Sequence, residues 1–571
     1  MGWSRGYQRC IIMGRFWAVM LSCSYILITV RKNVILLMSV QMNGGIAMGT
    51  YLNPSNRGFY QAVNSRIYID KTPMIEILNS RLFTEEKCIS LSHARRFGKS
   101  QAADMIEAYY SRGCDSRELF SKLKISKSPD FENHLNRYNV LHLDISSFAD
   151  DYSDDLVKQI KIHIFDEFRE KYPDVDYNKS TSSILHQVYY SSEEKYPFVI
   201  IIDEWDCVVR NFSDKPELVH EYLQFLHSLF KSKESKEFLA LGYITGILPI
   251  KKIEDESALN NFIEYTMTDS AEFTTYFGFT EKEVEKLCEK FNMNNDSVKE
   301  WYNGYLINGQ HMYNPNSVYN AMTRHSLESY WKNTSAFGTI NKFITLNFGN
   351  LKEDVLRMLA GEKISVNTGK FRNDLSVINS KDDALTALIH LGYLGYDNER
   401  RKAFIPNYEV ATAFHLALET GNWSEIADTL SRCDEILWAT IDGEAEKVAE
   451  LLELSHETYT SILKYNNENA LSCAITMAYF TAPAYYNVIR ELPSGKGFAD
   501  IAMIPRPDSG NKPPMIIELK YDKDADTAIK QIKEKRYAGS LRGYSDVLLV
   551  GVNYDRESKK HECIIEKCNV E

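Results

Sequence analysis

From residue 51 to about 278 the chain alternates short apolar runs with amphipathic stretches. Apolar runs at 88–91, 140–145, 198–202 and 238–247 predict strands, and a helix is expected over 100–110. The run Phe198-Val199-Ile200-Ile201-Ile202 is continuously apolar and β-branched, the mark of a strand buried on both faces. Strands alternating with helices predict a parallel α/β sheet, because parallel neighbours need a crossover and a helix usually supplies it. From 279 to 417 helical spacing takes over. Thr280, with Glu283 three positions on, reads as a capping box opening an amphipathic helix over 281–291. An apolar helix at 384–391, a Gly392-Tyr393 turn and a polar hairpin at 397–401 predict a helical, winged-helix-like module. A helical connector over 418–442 leads to a second α/β unit over 443–571.

The first 47 residues break this pattern. Residues 16–30 are apolar between Arg15 and Arg31, fewer than the ~20 needed to span a bilayer. No small-residue cleavage site follows them. Three readings stay open: an extension upstream of a start at Met48, an anchor, or a signal peptide. The first is preferred, and no stable membrane partner is expected. With 571 residues, 44% hydrophobic and 25% charged, the chain can fill several cores. Its net charge of -12 argues against a surface that coats nucleic acid by charge alone, but not against a local basic groove. None of the ten cysteines falls in a C-x-x-C pair, which argues against structural zinc. Unpaired thiols point to a reducing, cytoplasmic compartment.

Arg95-Arg96-Phe97-Gly98-Lys99-Ser100 lies between a predicted strand and a predicted helix. There, backbone N–H groups and a helix N-terminus cradle phosphates. Lys99 would reach the β- and γ-phosphates of ATP, and Ser100 would ligate Mg²⁺. The complete P-loop pattern needs a glycine at 93, where His93 stands. The strand ending in Asp203-Glu204 supplies the other half: Asp203 to hold Mg²⁺ and Glu204 to polarise the attacking water as general base.

In the C-terminal unit, Asp500 opens a predicted strand at 497–504. Glu518 and Lys520 stand at i and i+2 on the next, at 515–520, and so share a face. Asp500 and Glu518 are hard oxygen ligands suited to Mg²⁺ or Mn²⁺. Such a metal activates water against a phosphodiester, and Lys520 would orient that water or offset developing charge. Asp522, Asp524 and Asp526 form no calcium loop, because Thr527 and Lys533 stand where Gly and Glu are required.

Further matching segments are Tyr51-Leu52-Asn53-Pro54, Ile67-Tyr68-Ile69-Asp70-Lys71-Thr72, Asp203-Glu204-Trp205-Asp206, Thr245-Gly246, Ser257-Ala258-Leu259-Asn260-Asn261, Trp301-Tyr302-Asn303-Gly304-Tyr305 and Tyr313-Asn314-Pro315. With these the chain, from Met48 onward, resembles bacterial AAA-ATPase-like proteins fused to a PD-(D/E)XK nuclease-superfamily domain. The resemblance implies a P-loop NTPase sheet over 48–278, the module over 279–417 and a restriction-endonuclease-like α/β domain over 443–571. It makes the missing first glycine ordinary and places Arg96, Phe97 and Gly98 in the nucleotide loop. Arg95 and Arg96 would contact phosphate or a neighbouring subunit, and Thr245 would act as a sensor. In the nuclease domain Gln531 would assist catalysis and Glu468 would be a further acidic metal ligand. The implied activity is ATP hydrolysis controlling a metal-dependent nuclease, with DNA favoured over RNA. The alternative is an ATP-dependent switch whose nuclease-like domain binds nucleic acid without cutting it. AAA-type ATPases often assemble into rings, so a homo-oligomer is a further expectation.

Overall fold

The β-branched runs become inner strands of a parallel sheet. β1 (Cys88–Ser92), β2 (Asn139–Asp144), β3 (Phe198–Asp203), β4 (Leu239–Gly246) and β5 (Ile263–Thr266) lie in the order β2-β3-β4-β1-β5. This computed structural model describes residues 49–569 apart from 153–154, 192, 251–258, 332–339, 342, 344, 346, 372–377, 421–431, 464–467, 495–496, 507–508, 536–540, 542–543 and 545. The N-terminal apolar run and Ser257-Ala258 therefore lie outside the described residues. β1, β3 and β4 are buried at every position. Ile200 and Ile202 pack on one face with Leu226 and Phe230, while Val199 and Ile201 pack on the other with Met105 and Ile106. Two apolar layers around one sheet explain why β3 shows no polar alternation.

α1 (Lys99–Tyr110) follows β1, and the short α2 (Cys207–Asn211) follows β3. Parallel strands bring their C-terminal ends to one edge, where ligand sites of such sheets form. Because β4 is inserted between β1 and β3, Thr245 at its end stands between the phosphate loop and Asp203.

The middle region contains α3 (Glu281–Phe291), α4 (Lys381–Leu391) and α5 (Tyr408–Thr420), among other helices. Two small sheets accompany them. β6 (Phe279–Thr280), β7 (Tyr305–Ile307) and β8 (Gln310–Tyr313) form one; β9 (Ile364–Ser365), β10 (Gly395–Asp397) and β11 (Lys402–Phe404) form the other. Thr280 and Glu283 close the expected capping box. The helix–turn–hairpin order is present, and β9 adds a third strand to the hairpin through β11. α4 stops at Gly392, whose φ of +86 is the left-handed cap conformation glycine adopts without strain.

The C-terminal unit is a mixed sheet of β12 (Tyr486–Ser494), β13 (Gly497–Pro505), β14 (Met515–Tyr521), β15 (Asp546–Asp555) and β16 (Lys560–Asn569), in that order. Only β14 and β15 run parallel, joined across α9 (Ala525–Glu534). α6 (Cys433–Asp442), α7 (Ala445–Leu463) and α8 (Glu468–Ala478) precede the sheet. Within the stretch expected to be a connector, Ile436, Leu437 and Ala439 of α6 join the same core as Ile517 and Val550, and α5 runs past residue 417. The physical reason is that an apolar helix face beside a sheet is buried rather than left in water. Residues 421–431 of that stretch lie outside the described residues.

The module touches both neighbours. Lys71 joins Glu283 of α3 at 2.8 Å. Tyr408 packs edge-on against Trp301, with centroids 4.7 Å apart, and its hydroxyl donates to Phe480 O at 3.4 Å. The Arg506 guanidinium, just past β13, pairs with Glu300. Among the described residues no helix is long and apolar enough to cross a membrane.

Candidate functional site

The phosphate loop begins at a buried histidine. His93 is wholly buried; its amide donates to Gly246 O at 3.0 Å and its Nε2 lies 2.9 Å from Ser270 Oγ. Its ring packs 4.8 Å from Phe277, and burial pushes its pKa down to about 3, so it is neutral at pH 7. His93 is not among the residues with a positive φ, so a side chain is accommodated where the pattern has glycine. Arg96 has a φ of +69 and Gly98 a φ of +93, and the loop then enters α1 at Lys99.

Lys99 is 4% exposed, and its ammonium donates to His93 O at 3.0 Å and Ala94 O at 3.2 Å. It also lies 3.7 Å from Glu204 Oε1. Ser100 opens onto the same cleft, a space of about 940 Å³ bordered by Tyr68, Arg96, Gly98, Glu204 and Tyr319. That volume suits a nucleotide. The Phe97 ring is 1% exposed and packs edge-on against Tyr305. Only its backbone is left for phosphate. The Arg96 guanidinium donates to Tyr330 O at 3.1 Å, tying the loop to the module.

Asp203 is buried and accepts the Thr245 hydroxyl and, at 3.1 Å, the Glu204 amide. Thr245 is thus engaged by Asp203, so its hydroxyl orients that carboxylate. Glu204 has a φ of +52, and burial raises its carboxyl pKa while Lys99 opposes the rise. Sequence reasoning missed Arg210, which meets Glu204 Oε2 at 2.9 Å and Asp206 Oδ2 at 2.8 Å. The i, i+4 spacing of Asp206 and Arg210 was the available signal. Lys71, in one of the matching segments, bridges to Glu283 of α3.

In the C-terminal unit, β13 and β14 pair antiparallel with Ile501 opposite Ile517. One step further along that register Asp500 faces Glu518. Asp500 Oδ2 accepts the Leu519 amide at 2.7 Å. Lys520 donates to Glu518 Oε1 at 2.9 Å and Leu519 O at 3.0 Å, and the Gln531 amide reaches the same Glu518 oxygen from α9. The four residues Asp500, Glu518, Lys520 and Gln531 are therefore together. Glu468 begins α8, and its side chain lies outside the described residues. Burial raises the Glu518 pKa, and the facing Asp500 adds to the rise. Glu518 Oε2 is buried with no hydrogen-bond partner among the described residues. A buried, unpartnered carboxylate oxygen beside a second carboxylate is the chemistry a divalent cation satisfies, so these residues fit the expected metal.

Two stretches of the chain match known families. Residues 61–254 match the family described as Predicted AAA-ATPase, and residues 466–566 match the PD-(D/E)XK nuclease superfamily. The chain is a fusion of an AAA-ATPase-like P-loop domain and a PD-(D/E)XK nuclease-superfamily domain. It is 22% identical over 521 residues, 86% of this chain and 93% of the relative, to the "Uncharacterized protein in vnfD 5'region" of Azotobacter chroococcum mcd 1. Among solved structures, the Aeropyrum Pernix ORC2 protein (ADPNP-ADP complexes) aligns at 11% identity over 64% of this chain and 99% of that one, at a TM-score of 0.23, too low to equate the two folds.

Proposed function

We propose that the chain hydrolyses ATP and uses the resulting rearrangement to control a metal-dependent phosphodiesterase that cuts DNA. The observation that carries this reading is the placement of the middle module, which grips the phosphate loop on one side and the nuclease domain on the other. Arg96 donates to Tyr330 O, whose own amide donates to Glu409 Oε1 at 2.8 Å. Glu409 is the neighbour of Tyr408, which reaches Phe480. Ala94 also lies against Gly392. Triphosphate drawing Lys99 off the His93 and Ala94 carbonyls would change the loop that the module grips. Coupling of this kind requires the two module positions to differ in nucleotide affinity.

At the nuclease site Asp500 and Glu518 would hold Mg²⁺, with Mn²⁺ as the other candidate. Bound there, the metal lowers the pKa of water and offsets charge on the scissile phosphate. Lys520 would orient the water and Gln531 would fix the Glu518 carboxylate. At the ATPase site Ser100 and Asp203 would hold Mg²⁺, and Glu204 would take the proton of the attacking water.

The second reading, binding without cutting, is favoured by the engagement of Glu518 Oε1 with both Lys520 and Gln531. A Mg²⁺-dependent cleavage assay on DNA and RNA with wild type, Asp500→Ala and Lys520→Ala separates the two. Cleavage lost in both variants supports the nuclease. ATP hydrolysis with no cleavage of any substrate supports the switch.

A further inference from the structure

We infer that Arg210 is the residue that positions Glu204 for water attack, an assignment resting on the ATPase reading above. Glu204 adopts a φ of +52, a backbone state that a non-glycine residue keeps only when its surroundings hold it. Its backbone is held by its own amide donating to Asp203 Oδ1 at 3.1 Å, by its carbonyl accepting the Cys207 amide at 2.9 Å and by the following Trp205 amide donating to Thr245 O at 2.9 Å; its carboxylate is gripped by Arg210 Nη2 at Oε2, 2.9 Å away. Arg210 cannot swing freely. Its side chain is 8% exposed, and its Nε donates to Asp206 Oδ2 at 2.8 Å. Asp206 is itself wholly buried, and the same Oδ2 accepts the Leu248 amide at 2.9 Å. One planar fork therefore spans two carboxylates, the use for which guanidinium is better shaped than ammonium.

Lys99 is the other cation near Glu204, 3.7 Å from Oε1. A P-loop lysine moves to the β- and γ-phosphates when nucleotide binds. Glu204 then loses that neighbour, while Arg210, anchored through Asp206 to the end of β4, keeps its grip on the far oxygen. Oε1 is left to face the water. Arg210 also borders the nucleotide cleft, so a direct phosphate contact is the competing role. The two roles separate kinetically: a phosphate contact present in the ground state moves KM, whereas orientation of the base moves kcat.

The test uses the full chain and steady-state and single-turnover hydrolysis of Mg-ATP. Arg210→Gln should lower kcat about 10- to 100-fold with KM within about twofold. The same substitution in a Glu204→Gln background should add less than about a twofold loss, because a residue acting through Glu204 has nothing left to position. Arg210→Lys keeps a cation beside buried Asp206 and so guards against misfolding; it should show a smaller loss confined to kcat. A raised KM with unchanged kcat, or a loss that multiplies with Glu204→Gln, overturns the assignment while leaving the ATPase reading intact. Wild-type hydrolysis that Lys99→Ala lowers by less than about tenfold overturns the ATPase reading, and this assignment with it.

Discussion

The two halves each bury a lysine near a glutamate, but they park it differently. Lys99 sits on a helix and donates to neutral loop carbonyls, with Glu204 on another element 3.7 Å away. Lys520 shares a strand with Glu518 and pairs with it directly at 2.9 Å. A cation resting on carbonyls can be drawn to phosphate without stranding a buried charge. A cation locked to a carboxylate cannot leave so easily, because the partner would be left unpaired in a poorly solvated site. On the function proposed above, the phosphate-loop lysine would be free to move and the lysine of the nuclease-like domain would stay.

The comparison breaks first at the nuclease end. Asp500→Ala and Lys520→Ala should each reduce cleavage by about 10³-fold or more while ATP turnover persists; a DNA-nicking assay beside a phosphate-release assay checks both. Next, Lys99→Ala should cut ATP hydrolysis by about 10²- to 10³-fold and remove the response of cleavage to nucleotide, with metal-dependent cutting itself retained. Equal cleavage with and without ATP in wild type would remove nucleotide control altogether. At the loop–module contact, a Cβ on Gly392 would come 2.5 Å from Ala94 Cβ, at a φ of +86. Gly392→Ala should therefore destabilise that packing by about 1–3 kcal/mol and lower ATPase activity about tenfold at most, read by thermal melting and turnover.

The smallest effect concerns Glu409. Burial pushes its carboxyl up to about 8. The folded chain keeps that proton up to about pH 8, whereas the unfolded chain releases it near the ordinary value of ~4.3. The native state binds more protons in this window, so stability falls as pH rises through it. The Tm should drop more between pH 6 and 8 in wild type than in Glu409→Gln, by a few degrees; parallel curves would refute the buried acid.

The strands and both lysines were readable because each leaves a local mark: a continuous apolar run, a Gly-Lys-Ser turn, an i, i+2 pair on one strand. Asp500 and Glu518 could be expected to meet because adjacent antiparallel strands align opposite residues. The turning of Phe97 into the core and of Arg96 toward Tyr330 could not be read, since Tyr305 and Tyr330 lie more than two hundred positions away. The same holds for Thr245, whose hydroxyl is turned by Asp203 of the neighbouring strand. The apolar face of α6 looked like a connector because amphipathic spacing says that a face is buried, not against what.

His93 carries one more consequence. A loop whose first residue is pinned by its amide, its carbonyl and its ring has already surrendered conformational freedom during folding, about 1–2 kcal/mol for each backbone residue fixed. On the function proposed above, nucleotide would meet a loop whose start is already shaped by the His93 amide and ring.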